Sequence, residues 1–449
     1  MFNRNKPQSG LQQRLGEVRG DLQPAEHKTL DRETLFAEVR PLAQKEIQKK
    51  FSAQDLADRH SQALGRRVRG IVLELIEARA PEFPKPLQLG IADELVDDLL
   101  GYGPLEQFFT GPQADAVTEI KVINYKLIRV EIGGKEHIAL DENGKPLRFR
   151  SDEHARDVLE RMIAPTGRRI DLANPRVSAR LPDGSRLMAH ISPVAVDGAT
   201  VSIRRFRQDM TMEKFLEYGA LNQEIADFLA ACVKARLNVI VSGGTSSGKT
   251  TFLNVLANYI PEDESIITIE DPAELQLQHT NVRRLEARPP NIEGKGEITQ
   301  RDLVADALRM APRRIIVGEC RRGEAFDMMQ AMNTGHDGSL TTAHANSASD
   351  LVNTRLANMI QMADMGLPFE AILAMIASAA DLVVHICRDR TGRRRVDHVC
   401  ETLGVESGAM RIALQDIFAF DNDSGAWVRT EHPLARADRL RWAGITGVT

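Results

Sequence analysis

The sequence has few cysteines, few aromatic residues and no long apolar run. Its four cysteines are Cys232, Cys320, Cys387 and Cys400. None of them forms a C-x-x-C pair, which excludes a zinc clip of that spacing. Scattered single cysteines are typical of a reducing compartment. The longest apolar run, residues 371–380, is far shorter than the roughly 18 residues that a membrane-spanning helix requires. Any membrane association is therefore expected to be peripheral or to occur through partners.

The chain also lacks an excess of charge of one sign and an apolar leader. Lys and Arg number 58 against 63 Asp and Glu, a formal net charge of −5. This balance argues against a protein that binds nucleic acid over its whole surface. The first residues, MFNRNKP, contain no apolar core of a signal peptide. A hydrophobic fraction of 42% over 449 residues is enough for packed domains, of which we expect two or three.

The character of the sequence changes along the chain, and these changes predict its domains. Residues 1–30 read as a disordered polar tail. Residues 31–109 show helical periodicity and predict a helical subdomain, the alternative being a solvated helical linker. Residues 110–206 predict an N-terminal α/β domain, and 207–219 a flexible linker. Residues 220–449 alternate strands with helices, which predicts a mostly parallel sheet with an antiparallel appendage after about residue 380.

The stretch with the most specific chemistry is GGTSSGKTT at residues 243–251, which fits the phosphate-binding pattern G-x-x-x-x-G-K-[ST]. The apolar run at 237–241 predicts a buried strand before it, and residues 250–260 predict a helix after it. Glycines permit a tight turn whose N–H groups point at phosphate oxygens. The predicted nucleotide-binding residues are Gly243, Gly244, Thr245, Ser246, Ser247, Gly248, Lys249, Thr250 and Thr251.

Two of these residues have individual roles in the pattern. Lys249 is expected to reach the β- and γ-phosphates of ATP, and the Thr250 hydroxyl to bind Mg2+. The N-terminus of the following helix adds its positive dipole end. The alternative, a Gly/Ser loop with a chance lysine, is disfavoured because strand, loop and helix come in the required order.

Hydrolysis needs an acidic residue in addition to a phosphate loop. The apolar run at 314–318 ends in Glu319, at the strand edge where ligands bind in doubly wound sheets. Glu319 can orient a water molecule or accept its proton. A further predicted strand, 266–269, ends in Glu270. The alternative for each acid is a solvated strand end.

Histidines and arginines complete the candidate site. His336 and His344 flank a short predicted strand rich in small and hydroxyl residues, and either can bond a phosphate. The alternative is two structural histidines, and no set of Cys or His ligands around this stretch indicates a metal. Arg186 and Arg204 in the preceding domain suit phosphate binding, the alternative being surface ion pairs.

Together these motifs resemble the Walker A, Asp box, Walker B and His box of the type II and type IV secretion system ATPases. Segments outside them resemble the branch that assembles tight-adherence (Flp) pili. Those segments are LGYGPLE at 100–106, GRRID at 167–171, ARLPDGSR at 179–186 and RPPNIEG at 288–294. The resemblance covers roughly residues 90–422. The lack of a tetracysteine motif speaks against the zinc-bearing type II branch.

The resemblance implies a fold, a site and partners. The fold is an N-terminal domain joined by a flexible linker to a RecA-like ATPase domain, in a ring hexamer. Glu319 is the hydrolytic acid and Glu270 assists it, while His336 and His344 couple the nucleotide to motion. Arg186 and Arg204 reach the phosphates. The implied protein is a cytoplasmic, Mg2+-dependent ATP hydrolase at the cytoplasmic face of the inner membrane, which powers pilus assembly through platform proteins. Retraction by the same motor is left open.

Three segments depart from the family pattern. The departures are APRR at 311–314, CRR at 320–322 and NYK at 124–126, and none removes a catalytic position.

The sequence leaves other functions open. One alternative function is a type IV secretion or conjugation ATPase, and another is a nucleotide-gated scaffold with little hydrolysis. A third, a nucleic-acid motor, is disfavoured because basic and aromatic residues do not interleave, so no nucleic-acid partner is expected.

Overall fold

The computed structural model describes residues 31–52, 55, 61–141, 144–205, 210–290, 295–389, 391–406 and 408–447. The predicted tail, residues 1–30, lies outside the described residues, as do residue 206 and the start of the predicted linker, 207–209. Contacts divide the chain into two compact units, residues 1–114 with 148–162, and residues 115–147 with 163–449. The domain boundaries drawn at 110, 207 and 220 stay predictions.

The first unit is helical. Its helices are Arg32–Lys50, Gln62–Arg79, Lys85–Leu99, the short Gln107–Thr110, and Asp152–Ile163, whose last residue belongs to the other unit. Side chains at helical spacing, among them Leu35, Val39, Val68 and Leu95, are fully buried together. The region therefore has a core of its own, which a solvated linker would lack. Ser151 caps the last helix, since its hydroxyl accepts a hydrogen bond of 3.1 Å from the His154 amide.

The second unit contains two sheets. The first is antiparallel throughout, with the strand order β3-β2-β1-β6-β5-β4. Its strands are β1 (Val117–Asn124), β2 (Leu127–Ile132), β3 (Lys135–Ile138), β4 (Arg176–Arg180), β5 (Arg186–His190) and β6 (Thr200–Arg204). The sequence analysis does not predict β3. All four of its residues are exposed, so no apolar alternation marks it.

The second sheet has nine strands in the order β15-β14-β13-β12-β7-β11-β10-β8-β9. From β12 to β9 every neighbouring pair is parallel, and from β12 to β15 every pair is antiparallel. This is the predicted parallel sheet with its antiparallel appendage. The strands are β7 (Val239–Gly243), β8 (Ile266–Glu270), β9 (Val282–Glu286), β10 (Arg314–Cys320), β11 (Leu340–His344), β12 (Leu382–Arg388), β13 (Arg394–Val405), β14 (Ile412–Asp421) and β15 (Ala426–Arg429).

Helices cover both faces of this sheet. Val239 and Val241 of β7 point into one apolar layer and Ile240 into the other, as expected of a strand buried on both faces. The helices are Met212–Glu217, Gln223–Lys234, Lys249–Ala257, Gln300–Arg309, Glu324–Asn333, Ala348–Asp350, Leu356–Gln361, Phe369–Ala379 and Ala437–Trp442, with a π-helical turn at Leu351–Arg355. Among the described residues, no helix combines the length and the apolar character needed to cross a bilayer.

An arginine at the start of β10 ties several elements together. Arg314 is fully buried, and its Nε and one terminal nitrogen donate to the two Glu264 oxygens at 2.7 and 2.9 Å. Its other terminal nitrogen donates to the Val233 carbonyl at 2.7 Å. The buried guanidinium thus joins the strand to the turn before β8 and to the end of a helix.

We expect Arg314→Met to destabilise the second unit by about 3–5 kcal/mol, because removing one partner leaves a largely buried carboxylate without its main counter-charge. Arg236, 3.4 Å from Glu264, offsets only part of this loss. The midpoint of denaturant unfolding measures the effect, and Arg313→Met, at an exposed neighbouring position, is the matched control. Equal midpoints for the two variants would show that the pairing contributes nothing.

Candidate nucleotide-binding site

The phosphate loop leads from β7 into the helix Lys249–Ala257. The predicted helix began at residue 250 and ended at 260. It begins one residue earlier, and a turn continues from Ala257 to Ile260. Ser246 and Gly248 have positive φ angles of 57° and 95°. When residues with positive φ alternate with residues with negative φ, successive backbone N–H groups point into one concave site that can bind an anion.

The first glycine of the loop is required by a close backbone contact. A Cβ on Gly243 would lie 2.2 Å from the Ile386 carbonyl oxygen of β12 and 2.7 Å from Ser247 Oγ. The carbonyl belongs to the backbone of a paired strand and cannot move aside, and the added Cβ would also crowd the Ser247 hydroxyl. A side chain here would therefore push the loop away from the sheet.

We expect Gly243→Ala to weaken ATP binding by tenfold or more, about 1.4 kcal/mol, because the loop must move to admit the methyl group. Gly90→Ala, in the helix Lys85–Leu99, is the control, since nothing lies within 4 Å of its added Cβ and the residue is outside the phosphate loop. Titration of ATP against each variant measures the effect. Equal affinities for the two variants would contradict the steric argument.

Lys249 is nearly buried, with 6% of its surface exposed. Its Nζ donates to the Gly244 carbonyl at 2.9 Å and lies 3.4 Å from His344 Nδ1. Burial lowers the pKa of this ammonium to about 8, and the nearby Glu319 carboxylate offsets only part of the shift. In the free protein the side chain therefore titrates close to neutral pH.

This titration predicts that ATP binding takes up protons. Phosphate charges favour the ammonium form of Lys249, so ATP binding should protonate the side chains that are neutral in the free protein. The expected uptake is about half a proton per site at pH 8 and almost none at pH 6. Calorimetry in buffers of different ionisation enthalpy measures the uptake. In Lys249→Arg the guanidinium stays charged, so the uptake at pH 8 should disappear. Equal uptake by wild type and Lys249→Arg would contradict the assignment to Lys249.

Glu319 and His344 lie beside this lysine because of the strand order. β11 lies between β7 and β10, and His344 is in register with Gly243. Glu319 Oε1 is 2.9 Å from His344 Nε2. Burial, followed by the charge of Lys249, lowers the pKa of His344, so its imidazole is neutral at physiological pH and one ring nitrogen can accept a hydrogen bond.

Arg321 holds the other side of the same carboxylate. Its Nε donates to Glu319 Oε2 at 2.7 Å. This residue belongs to the CRR departure from the family pattern, and no motif in the sequence assigns it to the site. The available signal for this contact was the position of Arg321, two residues after Glu319, where β10 ends and the chain turns towards the next helix.

Glu270 lies at the end of β8, next to β10. One of its oxygens accepts the Glu274 and Leu275 amides at 2.6 and 2.8 Å. The other, Oε1, is buried and has no hydrogen-bond partner among the described residues. Burial raises the pKa of Glu270 to about 7, so at neutral pH this carboxyl can hold a proton or release one.

The predicted arginines lie at the same edge. Arg186 of β5 and Arg204 of β6 are directly paired in register. A terminal nitrogen of Arg186 is 3.9 Å from Glu274 Oε1. The positive charge of Arg204 acts on both Glu274 and Lys249. The antiparallel sheet thus places Arg186 beside Glu274, and Arg204 within electrostatic range of both Glu274 and Lys249.

The predicted grouping of His336 with the catalytic residues needs correction. His336 precedes β11, whereas His344 ends it. The four intervals of that strand alone span about 13 Å, so His336 lies at the opposite edge of the sheet from the phosphate loop. Its carbonyl accepts a hydrogen bond of 2.6 Å from Ser339 Oγ. The two histidines flank the strand as predicted, and only His344 lies at the end that is in register with Gly243.

Arg394, which the sequence analysis did not identify, reaches the loop from the start of β13. Its Nε donates to the Ser246 carbonyl at 2.9 Å, and a terminal nitrogen lies 3.4 Å from Glu131 Oε1 on β2. It therefore links the phosphate loop to the antiparallel sheet. The three consecutive arginines 393–395 gave no local signal of this contact.

The residues present fit a nucleoside triphosphate with Mg2+. Ser247 Oγ is buried at the loop and has no hydrogen-bond partner among the described residues. Positive charge comes from Lys249, and the Thr250 hydroxyl and the acids of β8 and β10 provide the oxygen donors that Mg2+ prefers. A magnesium ion bound there would neutralise phosphate charge.

A strand, phosphate loop and helix beside a strand-end acid, in a doubly wound parallel sheet, define a P-loop nucleotide hydrolase. The sequence model of the family described as Type II/IV secretion system protein matches residues 120–440. The chain belongs to this family, and it is an ATP-hydrolysing enzyme.

Individual relatives are similar over most or part of the chain. One relative is a Mycobacterium tuberculosis (strain ATCC 25618 / H37Rv) protein whose name provisionally assigns it to conjugal transfer. It is 36% identical over 317 residues, which are 68% of this chain and 85% of that protein. The type IV secretion system protein PtlH of Bordetella pertussis is 42% identical over 176 residues, 38% of this chain and 51% of that protein.

Solved structures are also similar. The VirB11 ATPase of the Brucella suis type IV secretion system, in complex with sulphate, is 28% identical, with a TM-score of 0.35, covering 66% of this chain and 95% of that one. The pilus retraction motor PilT with bound ADP is 18% identical, with a TM-score of 0.44, covering 76% and 86%.

Proposed function

We propose that this ATPase is the motor that assembles a tight-adherence (Flp) pilus. It acts as a ring of six copies at the cytoplasmic face of the inner membrane, and pushes on platform proteins there. Four sequence segments outside the nucleotide site support this branch of the family, at residues 100–106, 167–171, 179–186 and 288–294. Of the last segment, residues 291–294 lie outside the described residues.

The proposed chemistry follows from the contacts of the site. Lys249 binds the β- and γ-phosphates, and Thr250 binds Mg2+. Glu319 positions a water molecule and accepts its proton as the water oxygen attacks the γ-phosphorus and the bond to the β-phosphate oxygen breaks. His344, between Lys249 and Glu319, senses whether the γ-phosphate is present. Glu270 assists as a carboxyl that can exchange a proton near neutral pH.

The observation that carries the motor proposal is the position of Arg186 and Arg204. They belong to the antiparallel sheet, yet they lie at the phosphate-loop edge of the parallel sheet, close to Glu274 and Lys249. A triphosphate bound at Lys249 would be held from both sheets. Loss of its γ-phosphate removes charge from between them, so hydrolysis changes the attraction that holds the two sheets together.

A second candidate is a conjugation or type IV secretion ATPase of the same family. The names of two relatives favour it, one provisionally assigned to conjugal transfer and one a type IV secretion system protein. The chemistry at the nucleotide would be the same, and only the membrane partner would differ.

Deletion of the gene in the source organism, complemented with wild type or Lys249→Ala, distinguishes the candidates. We expect surface filaments, counted by electron microscopy, to disappear on deletion and return only with wild type, while plasmid transfer to recipient cells is unchanged. Unchanged filaments with lost transfer would favour the secretion or conjugation role. Pilin and platform genes beside this gene, instead of relaxase or channel genes, would agree with the pilus role.

Purified protein tests the ring and the turnover. With ATP, analytical ultracentrifugation should give six times the mass of the protomer. Phosphate release should continue over many turnovers, whereas a nucleotide-gated scaffold would bind ATP and release little phosphate. Release that requires added DNA would favour a nucleic-acid motor instead.

A further inference from the structure

Three side chains of metal-ligand type converge in the antiparallel appendage, on strands that β12 separates from β7. They are His398 and Cys400 of β13 and Asp416 of β14. Their ligand atoms all lie within 4.8 Å of one another. Asp416 Oδ1 is 3.0 Å from His398 Nδ1 and 3.0 Å from Cys400 Sγ. One nitrogen, one sulfur and one oxygen donor thus face a common point.

A slip in strand register brings the aspartate into this group. Val399 pairs with Phe418, but Cys400 pairs with Asp416, so Ile417 is an extra residue on β14. Without this bulge Cys400 would stand opposite Ile417, and no carboxylate would face the thiol. Bulges commonly redirect a side chain in this way at functional positions. His398 and Cys400 are two residues apart, as side chains on one face of a strand are.

The second nitrogen of the histidine has a carboxylate of its own. His398 Nε2 is 3.5 Å from Asp397 Oδ2, on the far side of the ring from Asp416. Histidines that bind metals usually direct their other ring nitrogen at a carboxylate or carbonyl, which fixes the tautomer and leaves the binding nitrogen free to coordinate. This contact is independent of the three converging ligands.

We propose that His398, Cys400 and Asp416 bind a divalent ion of the zinc class. Zinc accepts thiolate, imidazole and carboxylate together, and three protein ligands leave a fourth tetrahedral position for water. Calcium and magnesium prefer oxygen donors, so the thiol disfavours them. The Cys400 thiol now donates a hydrogen bond to Asp416. On binding, the metal takes the sulfur as thiolate, and the thiol proton leaves to solvent.

The site would add a bond through the metal between β13 and β14, which already pair by their backbone ladder. Cys400 is 3% exposed, while the His398 and Asp416 side chains are 38% and 43% exposed. An ion can therefore approach from the solvent side and bond to sulfur at the bottom of the site. Bound metal would stabilise the β13–β14 pair at the outer part of the nine-stranded sheet.

Cobalt(II) titration of the untagged, full-length protein tests the proposal, after treatment with chelator and in the absence of Mg2+. Cobalt is the probe because thiolate ligation gives an absorption band that oxygen and nitrogen ligands do not. We expect one cobalt per chain with a thiolate band, displaced by zinc. Cys400→Ser and His398→Ala should each weaken binding by more than about tenfold, and Cys400→Ser should also abolish the band.

Cys387→Ser is the matched control, because this thiol also lies close to an aspartate, Asp397, at 3.5 Å, but is outside the three-residue group. It should keep both the band and the affinity. Retained ATPase activity shows that each variant is folded, and if Cys400→Ser fails that check, His398→Ala decides. Absence of cobalt uptake by wild type, or equal uptake by wild type, Cys400→Ser and His398→Ala, would overturn the proposal.

Discussion

Replacing Lys249 with alanine is expected to abolish ATP turnover, with kcat falling about a thousandfold or more, ~4 kcal/mol of transition-state stabilisation. Lys249 is the cation nearest to where the loop places the phosphates, and in this nearly buried position its charge is weakly screened. Alanine leaves no cation on the loop itself. Steady-state phosphate release measures the loss.

The same variant should fold normally. The lysine is desolvated in the free protein, as its lowered pKa indicates, so removing it costs the empty protein little. ATP at 100 times its dissociation constant should stabilise wild type by about 2.7 kcal/mol and Lys249→Ala much less. Lys234→Ala, at an exposed helix position, is the control and should keep its rate within about twofold. Undiminished turnover by Lys249→Ala would discard the proposed mechanism.

Glu319→Gln should lower kcat by about 10²- to 10⁴-fold while ATP still binds. Glutamine keeps the size of the side chain and can still face His344 and Arg321, but it cannot accept a proton from water. Binding and chemistry should therefore separate, and the variant should retain ATP long enough for the bound nucleotide to be measured after gel filtration.

Two further variants define what this result means. Glu370→Gln, at an exposed position in the first turn of a helix, should change nothing. Glu270→Gln should have a smaller effect than Glu319→Gln, because an amide oxygen can still accept the Glu274 and Leu275 amides. If Glu270→Gln were the more damaging change, Glu270 and not Glu319 would be the proton acceptor.

Most of the secondary structure near the site could be predicted because its signals are local. The helix after the phosphate loop was predicted to within one residue at its start, and β7, β8 and β10 were predicted from apolar runs. Strands buried on both faces and helices with one apolar face leave distinct periods in the sequence. β3, with four exposed residues, leaves none.

Contacts across the fold were not predictable in the same way. Arg394 is 148 residues from Ser246, and no local pattern connects them. His336 and His344 flank a strand as predicted, but only the strand order shows that the His344 end is the one beside the phosphate loop. The three ligands at β13 and β14 depend on a bulge, which shifts pairing by one residue without changing composition.

The sequence by itself determined the phosphate loop, its flanking strand and helix, and the acid at the end of β10, since each depends on residues adjacent in the chain. Tertiary structure decided which distant groups meet: Arg186 beside Glu274, Arg394 on the phosphate loop, and Asp416 opposite Cys400. The reason is physical. Backbone conformation and burial are set by near neighbours, whereas strand order and register are set by packing the whole sheet.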